Sequence, residues 1–319
     1  MKRLFANKRF ALFAPFIALS VMALIGLGLW VLVAGRIGDE LSARGLSWQS
    51  LTREGFPARI SLTMEKPQWR DPDATTNLVW QNSGLSLTVL PFQGGHAIID
   101  FRGAHEITGD GGRMRLAHQG NLMSAVVDGD GLNRASFEAA VPNMAAQWLG
   151  QDIGARAADM ALHTRRGDKN RYDIALVSKH ITLMQDDASL SLSRLDATAS
   201  VPAALMDRPV QAGDVIMLTR ATIQRDALSL VAKGRVKLRA NGYMDGTLDL
   251  DIVNLEAFAD ALAEFDLIDR RDRQKLLLFG GLGAALGGDT TDRLSLPLQF
   301  KNKRVYLGGV KLGRAPRWK

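Results

Sequence analysis

Arg59-Ile60-Ser61-Leu62-Thr63-Met64-Glu65 puts Ile60, Leu62 and Met64 on one side of an extended chain, and Arg59, Ser61, Thr63 and Glu65 on the other. Side chains that alternate with a period of two describe a strand with one buried face. The same period returns along the chain. Leu85, Leu87 and Val89 oppose Ser86 and Thr88; Ala97, Ile99 and Phe101 oppose His96, Ile98 and Asp100; Met114 and Leu116 oppose Arg113 and Arg115. Further strands are expected over 122–127, 134–141, 160–164, 172–177 and 189–201. Turn clusters separate them: Gly94-Gly95, 109–112, 128–131, 167–170 and Asp186-Asp187. Strands joined by short turns, without amphipathic helices between them, make a mainly antiparallel sheet. The segment 143–150, with Met144, Trp148 and Leu149, reads instead as a short helix crossing an end of the sheet.

A second block of the same texture begins near Pro209, after the interruption at 202–209. Leu228, Leu230 and Ala232 lead through Gly234 to Val236 and Leu238. The turn dipeptide Asn241-Gly242 then precedes Gly246 and the alternating Leu248, Leu250 and Ile252. Asn254 is placed to cap a helix running to about Phe265, with Leu255, Phe258, Leu262 and Phe265 as its apolar stripe. Asp269 is placed to cap a second helix, whose apolar stretch at 276–279 runs into glycine-rich 280–288. Leu294, Leu296, Leu298 and Phe300 alternate again, and with 304–307 they predict a terminal hairpin in which Pro297 marks an edge strand.

Upstream of these strands, residues 10–35 hold no charge. As a helix they extend about 39 Å, more than the roughly 30 Å hydrocarbon core of a bilayer. The run exceeds the 7 to 15 apolar residues, roughly, of a cleaved signal, which favours a retained anchor. Small residues at Ala34 and Gly35 leave cleavage there as the alternative. Lys2, Arg3, Lys8 and Arg9 precede the run, so the positive-inside rule puts the N-terminus in the cytoplasm and the body outside it. Beyond the run, Ile37, Leu41, Leu46, Trp48 and Leu51 stand at loose helical spacing, as in a short amphipathic continuation, until Gly55-Phe56-Pro57 breaks it. The expected fold is therefore mainly β (α+β): a transmembrane helix, then long curved antiparallel sheet with a few packed helices. The expected division is a basic cytoplasmic segment at 1–9, the anchor at 10–35, and β-rich blocks at 36–208 and 209–319.

Charge distribution narrows the function. Of the 40 basic residues, four precede Gly35 and eight lie between Arg293 and Lys319, with no acid in either segment. The 28 that remain face all 33 acids, so the body is mildly acidic and lacks the clustered Lys and Arg of a nucleic-acid groove. Cysteine is absent, which removes disulfides, thiolate metal sites and thiol nucleophiles.

Glu54-Gly55-Phe56-Pro57-Ala58-Arg59, then Leu90-Pro91-Phe92 leading to Phe101, resemble a family of uncharacterised, mainly alphaproteobacterial envelope proteins classed as a domain of unknown function. The closing Leu296-Pro297-Leu298 and Val305-Tyr306-Leu307-Gly308 look like that family's ending. The resemblance implies a membrane-anchored periplasmic protein and supplies no catalytic residue. The layout is similar to that of AsmA-type inner-membrane-anchored envelope proteins, which implies a long curved sheet presenting an apolar trough to lipid.

No motif carries chemistry. His96, His105, His118, His163 and His180 form no pair at a metal-ligand spacing and read as sheet or surface histidines. Asp128-Gly129-Asp130-Gly131 resembles the start of a calcium loop, but Leu132 and Ala139 occupy the fifth and twelfth places where oxygen ligands belong, so it reads as a hairpin turn. Gly280-Gly281-Leu282-Gly283 lacks the Gly-Lys-Ser/Thr of a phosphate cradle and reads as a close-packing segment. No Gly-x-Ser-x-Gly elbow exposes a serine. The basic end, 301–319, reads first as lysine protection of an edge strand and second as contact with anionic headgroups. The expected function is accordingly non-enzymatic, with no catalytic, cofactor or metal residues and no nucleic-acid partner. It is the handling or sensing of lipid or another apolar envelope component, the alternative being a scaffold that binds an envelope protein.

Overall fold

The computed structural model describes residues 8–70, 77–90, 95–148, 151–168, 170–185, 188–206, 211–264, 268–287 and 293–315. The chain forms two compact units, Met1–Arg113 and Met114–Lys319. Helix α1 (Lys8–Ala43) opens the first. Then come β1 (Leu46–Ser47), β2 (Ser50–Glu54), β3 (Ile60–Glu65), β4 (Gln68–Arg70), β5 (Val79–Gln81), β6 (Gly84–Leu90), β7 (His96–Arg102) and β8 (His105–Gly109).

These strands make one four-stranded antiparallel meander in which every strand is broken once. β2, β3, β6 and β7 pair in that order on one side of the break, and β1, β4, β5 and β8 on the other. The breaks lie level with one another. Across them, Gln49 N donates to Glu65 O at 2.9 Å and Lys66 N to Ser83 O at 3.0 Å. Buried Asn82 donates its amide to Ala104 O at 3.1 Å and accepts from Gly84 N at 3.0 Å, so its side chain is satisfied.

The alternation fixes which face is buried. Register places Ile60, Val89 and Ala97 in one row, Leu62, Leu87 and Ile99 in the next, and Met64, Leu85 and Phe101 in a third. The C-terminal half of α1 packs on this grid: Ala34 is fully buried, with Trp30, Ile37 and Leu41 beside it. The helix thus runs eight residues past the expected anchor, to Ala43, because its last turns serve as the lid of a sheet. Trp48 and Leu51 belong to the strand region and not to a helix.

Strand β9 (Gly112–Ala117) leads into the second unit, which contains β10 (Gly120–Asp128), β11 (Gly131–Ala140), β12 (Asn143–Trp148), β13 (Gln151–Arg156), β14 (Asp159–Arg166), β15 (Arg171–Gln185), β16 (Ala188–Pro202), β17 (Val215–Arg225), β18 (Leu228–Leu238) and β19 (Met244–Val253). Helices α2 (Leu255–Glu264) and α3 (Arg270–Gly287) follow, then β20 (Arg293–Lys301), β21 (Arg304–Leu307) and β22 (Val310–Arg314). The antiparallel order is β10, β11, then β14 through β22 in sequence. At Lys179 the partner of β15 changes from β14 to β13. There the apolar positions of β15 move from Tyr172, Ile174 and Leu176 to Ile181 and Leu183, and His180 takes a φ of 50°. A left-handed residue breaks the pleat where the apolar phase changes.

Several expectations are corrected. Residues 143–148 are strand β12, not a helix: Met144 and Ala146 stand opposite Ala155 and Ile153, and this pairing overrides the loose helical spacing. The division falls at Arg113, not near 208, because β16 pairs with β17 across the interruption. The chain closes on three strands rather than a hairpin. Pro297 stands where β20 runs past the end of β21: residues 293–297 pair with β19 alone, so the other side of this stretch is an edge, as expected. The ladder to β21 starts one residue on, at Leu298, and Pro297 only accepts there, from Gly308 N at 3.0 Å, so its missing N–H leaves no gap. Both expected helix caps hold: Asn254 Oδ1 accepts Ala257 N at 3.0 Å, and Asp269 Oδ1 accepts Asp272 N at 2.7 Å. The turns at 94 and 186–187, the motif residues 91–92, Phe265 and the tail 316–319 lie outside the described residues.

Candidate functional site

Most apolar side chains of the second unit's sheet share one face, although Leu122 (47 % exposed) and Met217 (46 % exposed) stand on the other. One row crosses nine strands: Met123, Phe137, Leu162, Leu176, Ala197, Ala221, Ala232, Leu250 and Leu296, each opposite the next. The row two residues along holds Met160, Ser178, Leu195, Ile223, Leu230 and Ile252 on the same side, apolar except for Ser178, whose hydroxyl donates to Asp159 O at 2.6 Å. At about 4.8 Å per strand this apolar face is roughly 38 Å wide.

Helices cover only one end of it. Phe258, Ala259, Ile268 and Leu276 of the α2–α3 segment pack with Ala232, Leu250, Ile252 and Leu307, and the partly buried side chains of this core lie on β17 to β22 and the two helices. Ile252 is fully buried and Leu250 is 4 % exposed. On β14 and β15 the same row is open: Leu162 is 41 % exposed and Leu176 is half-buried, as is Ile174 in the adjacent row. Among the described residues of this unit, the packing of α2 and α3 stops at β17. The sheet therefore carries an apolar surface, continuous with a core, that its own helices do not close. An apolar patch of this kind marks a binding surface for a protein, a membrane or an apolar ligand.

The opposite face is mainly polar, and its charged groups largely satisfy one another. Shallow hollows of about 830, 430 and 340 Å³ open on it. The largest is lined by Lys233, Arg235 and Lys237 together with Asp245 and Asp249. Arg194 meets Asp196 at 2.5 Å and Arg165 meets Asp173 at 3.4 Å. The hydroxyl of Ser295 donates to Asp251, which is the main reason its carboxyl titrates below the usual range, with Arg293 and Lys233 adding to the effect. Mixed charge in open hollows offers no specific ligand geometry.

The residues singled out from sequence stay apart. His105 accepts from Trp80 Nε1 through Nδ1 at 3.1 Å within an aromatic group that includes Phe101. His163 Nδ1 lies 2.9 Å from Ser136 Oγ on the polar face. Among the described residues no three His, Cys, Asp or Glu side chains gather as a metal site. Asp128 to Gly131 form the β10–β11 turn: Asp128 accepts from Asp130 N at 3.0 Å and Asn133 Nδ2 at 2.9 Å, and Arg166 lies 3.4 Å away. The bond from Asp130 N leads in holding the Asp128 carboxyl below its ordinary range. Gly280 to Gly283 lie within α3, and their side-chain surroundings are outside the description. An apolar trough was implied by the resemblance, but no residue pattern says on which strands the face stays open. Alternation assigns Leu162 and Leu250 to similar faces, and nothing local says that helices reach one and not the other.

Helix α1 has one stretch, Leu19–Ala43, long and apolar enough to cross a membrane. Leu19, Met22, Leu24 and Leu29 are each about 60 % exposed or more, which suits a membrane span or signal anchor. A family model described as "Uncharacterized protein conserved in bacteria (DUF2125)" matches residues 34–316, and the chain belongs to that family. No curated protein and no solved structure matches it.

Proposed function

We propose, for this member of the DUF2125 family, a non-enzymatic role: held at the bacterial inner membrane by α1, with its N-terminus in the cytoplasm and its body in the periplasm, it binds lipid or another apolar envelope component on the open end of the second unit's apolar face. The observation that carries this reading is one continuous apolar row that is buried at Leu250 and 41 % exposed at Leu162. Acyl chains suit such a surface because each methylene removed from water contributes about 0.8 kcal/mol without any need for polar complementarity. Retention of the anchor is supported by Ala34 and Trp30, which belong to the first unit's core; cleavage beside Ala34 would cut into that core.

The test uses the full chain in cells, with a photoreactive benzoyl-phenylalanine in place of Leu162 and, as control, of Glu138 on the polar face. Mass spectrometry is expected to find lipid-sized adducts at 162 and none at 138. A single protein adduct at 162 would favour the scaffold alternative, and equal lipid labelling of both faces would refute a site. A reporter fused after Lys319 that is active only in the cytoplasm would overturn the orientation.

A further inference from the structure

The loop between β2 and β3 lies beside the membrane helix, well below that helix's first outer charge. A β-carbon placed on Gly26 would lie 3.8 Å from the Phe56 ring, and the Trp30 indole meets the same ring edge-on with centroids 6.2 Å apart. Trp30 Nε1 donates to Arg59 O at 2.8 Å, and Arg59 N closes the loop onto Gly55 O at 2.9 Å. Gly26, Trp30 and Ala34 are spaced by four, so one face of α1 holds the loop and the sheet above it.

Chain lengths give the same depth independently. From Ala43 back to Gly26 the helix descends about 26 Å at 1.5 Å per residue. The return path over Leu46 to Glu54 covers about 26 Å at 3.3 Å per residue, which brings the loop down to the level of Gly26. Arg36 is the first charge beyond the apolar run. Trp30 lies about 9 Å and Gly26 about 15 Å below it along the helix axis.

We infer that Phe56 is a second membrane anchor: with Pro57 and Ala58 it enters the outer leaflet beside α1, and the exposed Arg59 faces the headgroup phosphates. The occupant is bilayer lipid, because the loop is continuous with the spanning face. Arg9 and Arg36 are about 40 Å apart on the helix, against a hydrocarbon thickness of about 30 Å. Even if all of that excess lay on the outer side, Phe56 would still reach the hydrocarbon boundary. Phe56 is 39 % exposed despite its contacts with Trp30, which leaves part of the ring for lipid. Because α1 is packed into the first unit's core, a second insertion point fixes the tilt of that unit against the bilayer.

This inference rests on α1 spanning the bilayer, and the test separates the two. The natural chain has no cysteine, so single cysteines at Ala58, Leu24 and Asp100 can each carry a nitroxide in the full chain, reconstituted in nanodiscs of phosphatidylcholine and phosphatidylglycerol. Collision with oxygen is compared with collision with a water-soluble nickel complex. The label at 58, with Phe56 intact, is expected to read lipid-side like 24, and 100 to read aqueous. A label at 58 that reads aqueous while 24 reads lipid-side overturns the loop insertion alone; aqueous readings at both overturn the span as well. As a second measurement, Phe56→Ser is expected to move the label at 58 toward the aqueous value while 24 is unchanged, and an unmoved label at 58 counts against Phe56 as the anchor.

Discussion

Replacing Gly234 by alanine places a methyl carbon 2.3 Å from the Thr247 carbonyl oxygen and 2.9 Å from Leu248 Cα. Both obstacles are backbone of the neighbouring β19, so no side chain can rotate away. The residue also has a φ of +148°, which L side chains rarely adopt. Backbone strain there contributes about 2 kcal/mol and forced separation of β18 from β19 about 2 more, so roughly 4 kcal/mol is expected in all. In a unit of this size each kcal/mol moves the melting temperature by roughly 2–4 °C. Thermal unfolding of the Gly234→Ala chain should therefore show the second unit melting roughly 8–16 °C below wild type. Gly120→Ala, whose β-carbon meets nothing within 4 Å, is the control and should stay close to wild type. Gly246 makes the reciprocal approach, 2.3 Å from Arg235 O, so the double variant should lose less than the sum of the two singles. A Gly234→Ala transition within about 3 °C of wild type, less than the shift expected for 1.5 kcal/mol, would show that the two strands are not in fact this close.

Other consequences follow from single contacts. Leu250→Asp buries a charge beneath α2 and should cost about 4 kcal/mol, whereas Leu162→Asp on the open end of the same row should cost under about 1 kcal/mol and abolish lipid capture; urea unfolding separates them. Trp30→Phe keeps the ring against Phe56 but loses the bond to Arg59 O, and should cost about 1 kcal/mol in detergent-solubilised full chain. Asp251 has a depressed carboxyl pKa, so its stabilising effect is present above the unfolded carboxylate range and is lost as pH falls through the folded value. Ser295→Ala, which removes the leading cause of that depression, should bring acid unfolding to a higher pH, and an unchanged acid midpoint would contradict it. Asp269→Ala removes the cap at Asp272 N and should cost about 1 kcal/mol by the same urea assay.

Much of the architecture was legible because its signals are local. Ile60, Leu62 and Met64 announce a buried face by their period, and Asn254 and Asp269 announce helix starts by chemistry that reaches only three residues ahead. The reading of 143–150 failed where local spacing was ambiguous and a partner strand decided the outcome. Pro297 was legible for the opposite reason: a missing donor suggests an edge, and the ladder to β21 indeed begins one residue later, at Leu298.

Sequence alone determined an apolar helix of spanning length, a mainly antiparallel chain, the absence of thiol chemistry and the hairpin turn at Asp128, since each depends on composition or on near neighbours in the chain. Tertiary structure alone decided where the apolar helix α1 becomes the lid of a sheet, and which end of a nine-strand apolar row the helices cover. The reason is physical: alternation specifies which side of a strand avoids water, but the element that excludes water there is brought in from another part of the chain.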